Sequence, residues 1–194
     1  RVEFSKAITG AEIKPGDVII GLRSGGKTKY EDKENSGIMC NGLTLARLCL
    51  MSKVYQEKYP EIVDIEKRGY YGKFKFDQYL DDLGMTVGEA LVSPTRFFAP
   101  AVLKILEKNG SSISGLVHNT GGGLTKSLTI GRNVHFVKDN LVGPDPIFNL
   151  IHRESAERWE AMFENYNMGI GFEIIADTEA AEDIVSISES FGVE

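Results

Sequence analysis

The run Thr120-Gly121-Gly122-Gly123 constrains this chain more than any other four residues. It follows an apolar, strand-like stretch, Ile113-Ser114-Gly115-Leu116-Val117-His118-Asn119, and precedes a short helical stretch expected from Leu124. Three glycines in a row remove the side chains where a strand turns into a helix. Bare backbone N–H groups can then approach a ligand, and an anion gains from a helix N-terminus behind them. His118 and Thr120 add a titratable ring and a hydroxyl at the loop's entrance. Read alone, a glycine run is equally a flexible turn, so both readings stand at this point.

The rest of the chain alternates strand and helix signals. Residues 17–22, 133–137 and 170–176 read as strands. Asn41 is placed to cap a helix running to about residue 59, with Leu43, Ala46, Leu50 and Val54 on one face and Pro60 ending it. Thr86-Val87-Gly88-Glu89 has the form of a capping box. Residues 98–108 read as a helix that tolerates Pro100 in its first turn. Two short helices are expected in 147–164, broken near Arg153-Glu154-Ser155, and an acidic surface helix in 178–191. Residues 27–36 and 140–146 read as loops. In residues 61–76, Lys67, Arg68, Lys73 and Lys75 interleave with Tyr70, Tyr71, Phe74 and Phe76. Such a pattern can stack on bases, but in an acidic chain it reads as a half-buried excursion. The alternation predicts an α/β fold, layered over one sheet, in a single domain spanning 1–194.

Composition narrows the partners. A formal net charge of −6 argues against nucleic acid, because phosphate-backbone binding needs a basic face. Two cysteines, Cys40 and Cys49, form neither a disulfide framework nor a metal quartet and point to a reducing, cytoplasmic setting. No metal constellation and no membrane-spanning run is legible in the sequence. The chain opens on Arg1-Val2-Glu3-Phe4 without an initiator Met, which suggests a domain that continues from something upstream.

Four segments in order carry a resemblance: Lys14-Pro15-Gly16-Asp17-Val18-Ile19-Ile20-Gly21-Leu22; Leu83-Gly84-Met85-Thr86-Val87-Gly88-Glu89-Ala90-Leu91-Val92-Ser93-Pro94-Thr95-Arg96; the triple-glycine loop; and Asn167-Met168-Gly169-Ile170-Gly171-Phe172. Together they resemble the C-terminal domain of the aminoimidazole ribonucleotide synthetase family, over nearly the whole chain. The resemblance implies a layered α/β/α sandwich around a mixed sheet. It also implies ATP-dependent closure of formylglycinamidine ribonucleotide to aminoimidazole ribonucleotide. ATP and Mg²⁺ would be held mostly by an N-terminal domain outside this chain, and a homodimer is expected. By itself the chain would be inactive. Siblings of the same superfamily (formylglycinamidine synthetase, thiamine-monophosphate kinase, and the selenophosphate and hydrogenase-maturation enzymes) and a non-catalytic binding module are the alternatives.

The family's site residues carry over one by one. Asn41 and Gly42 match the end of its His-Ser-Asn-Gly segment, but Met39 and Cys40 stand where His and Ser are usual, and the preceding loop is longer here. Cys40 as a nucleophile is an alternative that no neighbouring histidine in sequence supports. Thr95 and Arg96 match its Pro-Thr-Arg run, and a guanidinium there can fork onto a phosphate or onto loop carbonyls. Thr120, Gly121, Gly122 and Gly123 are expected to receive substrate. His118 is the candidate proton carrier, because its ring titrates near neutrality. Asn167 and Gly169 are expected to line the site or to form a tight bend.

Overall fold

The computed structural model describes residues 2–63 and 69–194. At its centre lie three antiparallel strands, β1 (Val18–Arg23), β2 (Ile113–His118) and β3 (Ile170–Ala176), with β3 in the middle. Ile20 pairs with Ile174 and Leu22 with Phe172 on one side of β3; Leu116 pairs with Ile174 and His118 with Phe172 on the other. A strand flanked on both edges and covered on both faces favours apolar residues, and β3 is apolar except for Glu173, whose buried carboxylate pairs with Lys138 at 2.6 Å. Parallel pairing occurs at two isolated bridges, Met51 with Phe74 and Ser52 with Gly72.

Seven helices surround these strands among the described residues: α1 (Leu43–Leu50), α2 (Val54–Lys58), α3 (Val87–Leu91), α4 (Ala99–Asn109), α5 (Pro146–Ser155), α6 (Trp159–Asn165) and α7 (Ala181–Ser190). Helices α4 and α7 bury Val102, Ile105, Ile184 and Ile187 against Leu22, Ile174 and Ala176 on one face of the sheet. The opposite face, with Val117 and Ile175, is covered by Ile13, Ile130, Val134 and Phe136. Helices α1, α3, α5 and α6 pool Leu50, Val87, Phe148, Ile151, Met162 and Tyr166 into a second core beside the sheet. The α/β organisation expected from the alternating signals is present.

Local chemistry explains several boundaries. Thr86 Oγ1 accepts from the Glu89 N–H while the Glu89 carboxylate accepts from the Thr86 N–H, the expected capping box at α3. Pro100 sits in the first turn of α4, where no intrahelical donor is lost. The break between α5 and α6 falls at Ala156, in the left-handed conformation, just past the expected point.

Three expectations are corrected. The helix expected from Asn41 to residue 59 is two helices. Its chain turns extended at Met51, where Met51 and Ser52 bridge Phe74 and Gly72, and Val54 emerges on the surface. Asn41 does not cap α1; Gly42 occupies that position in the left-handed region and no side chain caps the helix. Residues 133–137 show the alternating exposure of a strand but pair with no other strand. Of residues 61–76, Lys67 and Arg68 lie outside the described residues. Tyr70 and Phe74 are buried in the second core and Lys73 pairs with Glu154 at 3.0 Å, as a half-buried excursion requires.

Arg96 is 3% exposed and uses four N–H groups internally. Its Nε and one Nη donate to the Glu31 carboxylate at 3.2 and 3.0 Å, and its Nη atoms donate to the carbonyls of Arg23 and Gly26 at 2.9 and 2.7 Å. It thereby ties the long loop after β1 to the segment entering α4. Arg96→Ala leaves a partly buried carboxylate and two carbonyls without their donor and is expected to cost about 3 kcal/mol of stability. Arg96→Lys should recover only part of that, lacking the planar fork. Chemical denaturation of the three proteins is the measurement, and an unchanged midpoint for Arg96→Ala would refute the network's role.

Candidate functional site

The triple-glycine loop leaves the end of β2 and enters a 3₁₀ helix, Gly123–Thr129, rather than an α-helix. Its three glycines differ. Gly123 has φ +51°, and a Cβ there would overlap the carbonyl oxygens of Phe163 and Tyr166, so this residue is the contact between the loop and the end of α6. Gly122 has φ +96°, which an L side chain resists, and its open side faces the backbone of Lys126. Gly121 is exposed, with nothing within 4 Å of a notional Cβ. Among the described residues, the N–H groups of Gly121 and Gly122 donate to no backbone carbonyl, whereas that of Gly123 donates to Thr120 O at 3.0 Å.

Around this loop the structure gathers His118, Thr120 and a residue that the sequence reading missed, Lys126. The Lys126 ammonium donates to Thr120 Oγ1 at 2.6 Å. Lys126 lies inside the 3₁₀ helix and Thr120 lies before it, so the left-handed turn at Gly122 and Gly123 brings the two together, a contact the sequence spacing does not announce. The His118 ring lies edge-on to Phe98 and tilted against Phe172, each at a centroid distance of 5.9 Å. Its Nε2 is buried without a protein partner. Burial, and then the Lys126 charge, hold the His118 pKa below the usual imidazole value. Asn119, also missed, is fully buried: its N–H donates to Gly171 O at 2.9 Å and its side-chain amide to Ile170 O at 3.0 Å, which fixes the end of β2 against β3.

A second group of expected residues borders a groove of about 690 Å³. Thr95 lines it opposite Cys40, Leu43, Thr44 and Arg47, with Tyr55, Tyr70 and Phe76 as aromatic walls. Asn41 is largely buried next to this groove and its Nδ2 has no partner. The recorded polar neighbour of the Cys40 thiol is Asn41 Oδ1, at 4.0 Å. The other cysteine, Cys49, is buried, and burial pushes its thiol up to about 12, so it is inert at neutral pH.

Gly42, Asn167 and Gly169 join the two groups from beneath. A Cβ on Gly42 would collide with the Tyr166 ring, whose hydroxyl donates to Gly42 O at 2.9 Å. Asn167 is fully buried: Oδ1 accepts from Ser24 Oγ and Gly169 N at 2.8 Å each, and Nδ2 donates to Gly37 O at 2.9 Å. Gly169, at φ +103°, makes the bend that this requires. Asp145 packs against the same bend, paired with Arg23, and burial raises its carboxyl pKa. Arg96 follows Thr95 directly, but its guanidinium is committed to Glu31 and to the carbonyls of Arg23 and Gly26. Among the described residues, no group of three or more His, Cys, Asp or Glu side chains is placed to hold a metal ion, and no helix is long and apolar enough to cross a membrane.

The sequence is 36% identical over 192 residues to phosphoribosylformylglycinamidine cyclo-ligase of Methanocaldococcus jannaschii, covering 99% of this chain and 46% of that protein. It is 33% identical over 199 residues to the protein of the same name from Alkaliphilus metalliredigens, covering 100% of this chain and 48% of the relative. The chain is homologous to phosphoribosylformylglycinamidine cyclo-ligase over about half of that enzyme's length. A third relative of that name, from Carboxydothermus hydrogenoformans, is 33% identical over 98% of this chain and 47% of its own length. No family model matches the sequence.

Two outcomes follow from the geometry of the loop and of His118. Gly121→Ala should leave stability nearly unchanged, whereas Gly123→Ala, at positive φ and against two carbonyls, should lose about 2 kcal/mol or more in thermal or chemical unfolding. Equal effects would contradict the division of roles. His118 should titrate below the usual imidazole value by NMR. Because its folded pKa is depressed, the unfolded chain takes up this proton first as pH falls. The His118 contribution to stability is therefore full above the unfolded pKa and declines as pH drops through it toward the folded value. His118→Gln should remove that part of the acid dependence, and an unaltered profile would count against it.

Proposed function

We propose that these 194 residues form the C-terminal half of an ATP-dependent cyclo-ligase that closes formylglycinamidine ribonucleotide to aminoimidazole ribonucleotide in purine biosynthesis. The observation that carries this reading is the similarity along essentially the whole chain to about half of three proteins named phosphoribosylformylglycinamidine cyclo-ligase. In that reaction the formyl oxygen is phosphorylated at the expense of ATP. An amidine nitrogen attacks the activated carbon, and phosphate leaves as the ring closes. The protein's part is to position the two ends of one molecule and to stabilise charge.

The residues of this chain suit such work in distinct ways. We assign substrate contact to Thr120, Gly121, Gly122 and His118 at the glycine loop, where free N–H groups and an unpartnered ring nitrogen support the reading. Asn41 and Thr95 are assigned to the neighbouring groove. We assign Gly42, Gly123, Asn167, Gly169 and Arg96 to positioning, because each is occupied by an internal contact. A depressed pKa leaves His118 neutral near pH 7, able to accept a proton from the attacking nitrogen. As the family resemblance implies, the reading assigns Mg²⁺ and most of the nucleotide to the other half of the polypeptide. A cytoplasmic homodimer completes it.

The test compares the chain with a polypeptide carrying both halves. The longer protein should release ADP only when formylglycinamidine ribonucleotide is present, and the 194-residue chain alone should release none. Gly122→Val in the longer protein should raise the substrate KM or abolish turnover with the fold retained. Substrate-dependent ADP release by the chain alone would overturn the two-half reading, and unchanged kinetics of Gly122→Val would remove the loop from the site.

A further inference from the structure

We propose that Lys126 is the cation that holds the anionic group of the ligand at the glycine loop, and that this group is a phosphate monoester. The proposal rests on the reading of Gly121 and Gly122 as the ligand-facing part of that loop.

The first support is the ammonium's own set of partners. An ammonium has three donors. One Lys126 donor is given to the Thr120 hydroxyl at 2.6 Å. Among the described residues, no carboxylate lies within ion-pair distance of Lys126. Lys138 makes the contrast: it is just as firmly held, but by the Glu173 carboxylate at 2.6 Å and by Leu124 O at 2.5 Å, so its charge is neutralised inside the protein. A half-buried ammonium fixed by a neutral hydroxyl keeps its charge for an incoming anion.

The second support is where the ammonium is anchored. The Lys126 Cα lies 3.6 Å from the position a Cβ on Gly122 would occupy, so the residue is built directly against the loop's left-handed turn. Gly121 and Gly122 are exposed residues, and their N–H groups donate to no backbone carbonyl among the described residues. Thr120 is shared: its oxygen accepts from Lys126, and its hydroxyl lies 3.4 Å from His118 O. Across the same corner, His118 Nε2 is buried and unpartnered. Two backbone donors free of carbonyls and an ammonium free of carboxylates thus meet at one exposed turn. A tetrahedral oxyanion with several acceptor oxygens satisfies the two N–H groups and the ammonium together, and a neutral sugar hydroxyl does not. The 3₁₀ helix that follows is only seven residues long, so the charge at this site comes from Lys126 and not from a helix dipole.

The experiment titrates the ¹⁵N-labelled 194-residue chain with ribose 5-phosphate, inorganic phosphate and ribose. Both phosphates should shift the Gly121 and Gly122 amides saturably, and ribose should not. Binding of ribose but not phosphate would overturn the anion assignment. Lys126→Met should weaken phosphate binding by about tenfold or more, and Lys126→Arg should retain most of it. In the ligand-free chain Lys126→Met should also raise the His118 midpoint, whereas Lys126→Arg, which keeps the charge, should leave it low. If the Met variant lacks a dispersed spectrum, Lys126→Gln takes its place. Wild-type affinity of the Met or Gln variant at the Gly121 and Gly122 amides would overturn the role of Lys126 and leave the loop reading standing. Absence of any phosphate effect on those amides in the wild-type chain would overturn the loop reading itself, and this proposal with it.

Discussion

The Tyr166-Asn167 pair is the joint on which the arrangement depends. The Tyr166 ring lies against the bare Cα of Gly42, its hydroxyl bonds Gly42 O, and its own carbonyl is the surface on which Gly123 rests. Asn167, one residue on, satisfies donors and acceptors from Ser24, Gly37 and Gly169 with one fully buried amide. Four segments far apart in sequence converge there, because a buried amide is tolerated only when both of its ends are bonded. Exchanging the Asn167 side chain would leave Gly37 O, Gly169 N and the Ser24 hydroxyl without their partner at once, so the loops are held in one register.

That joint lets the glycine loop combine a rigid root with an open tip. Gly123 is pressed against α6, Gly122 turns the chain over Lys126, and Gly121 stands free. Fixed donors beside an exposed backbone are what pre-organisation for a charged ligand requires, since no reordering accompanies binding. The aromatic pair Phe98 and Phe172 does the same for His118, burying the ring while Lys126 disfavours its protonation. The electrostatics of the corner thus divide between a permanent cation and a neutral ring.

Much of the fold was legible because it depended on short-range rules. The capping box at Thr86 and Glu89, Pro100 in the first turn of α4 and the apolar run of β3 follow from local geometry or from a strand buried on both faces. The misread elements were those decided by distant partners. The helix after Gly42 stops at Leu50 because Met51 and Ser52 take up bridges to Phe74 and Gly72, a contact with no trace in local periodicity. Residues 133–137 keep a strand's alternation, yet no neighbouring strand presents a ladder to them.

The candidate site divides along the same line. The sequence by itself determined that a side-chain-free loop follows a strand, that His118 and Thr120 flank it, and that the chain resembles a cyclo-ligase domain. These are statements about consecutive residues. Only the tertiary structure decided which glycine serves packing and which stays open, because that depends on α6 arriving from more than thirty residues away. It also decided that the Arg96 guanidinium is paired inside the protein while Lys126 is not. Whether a charge is available to a ligand depends on the carboxylates and carbonyls that folding brings within hydrogen-bond reach, and sequence order does not fix those distances.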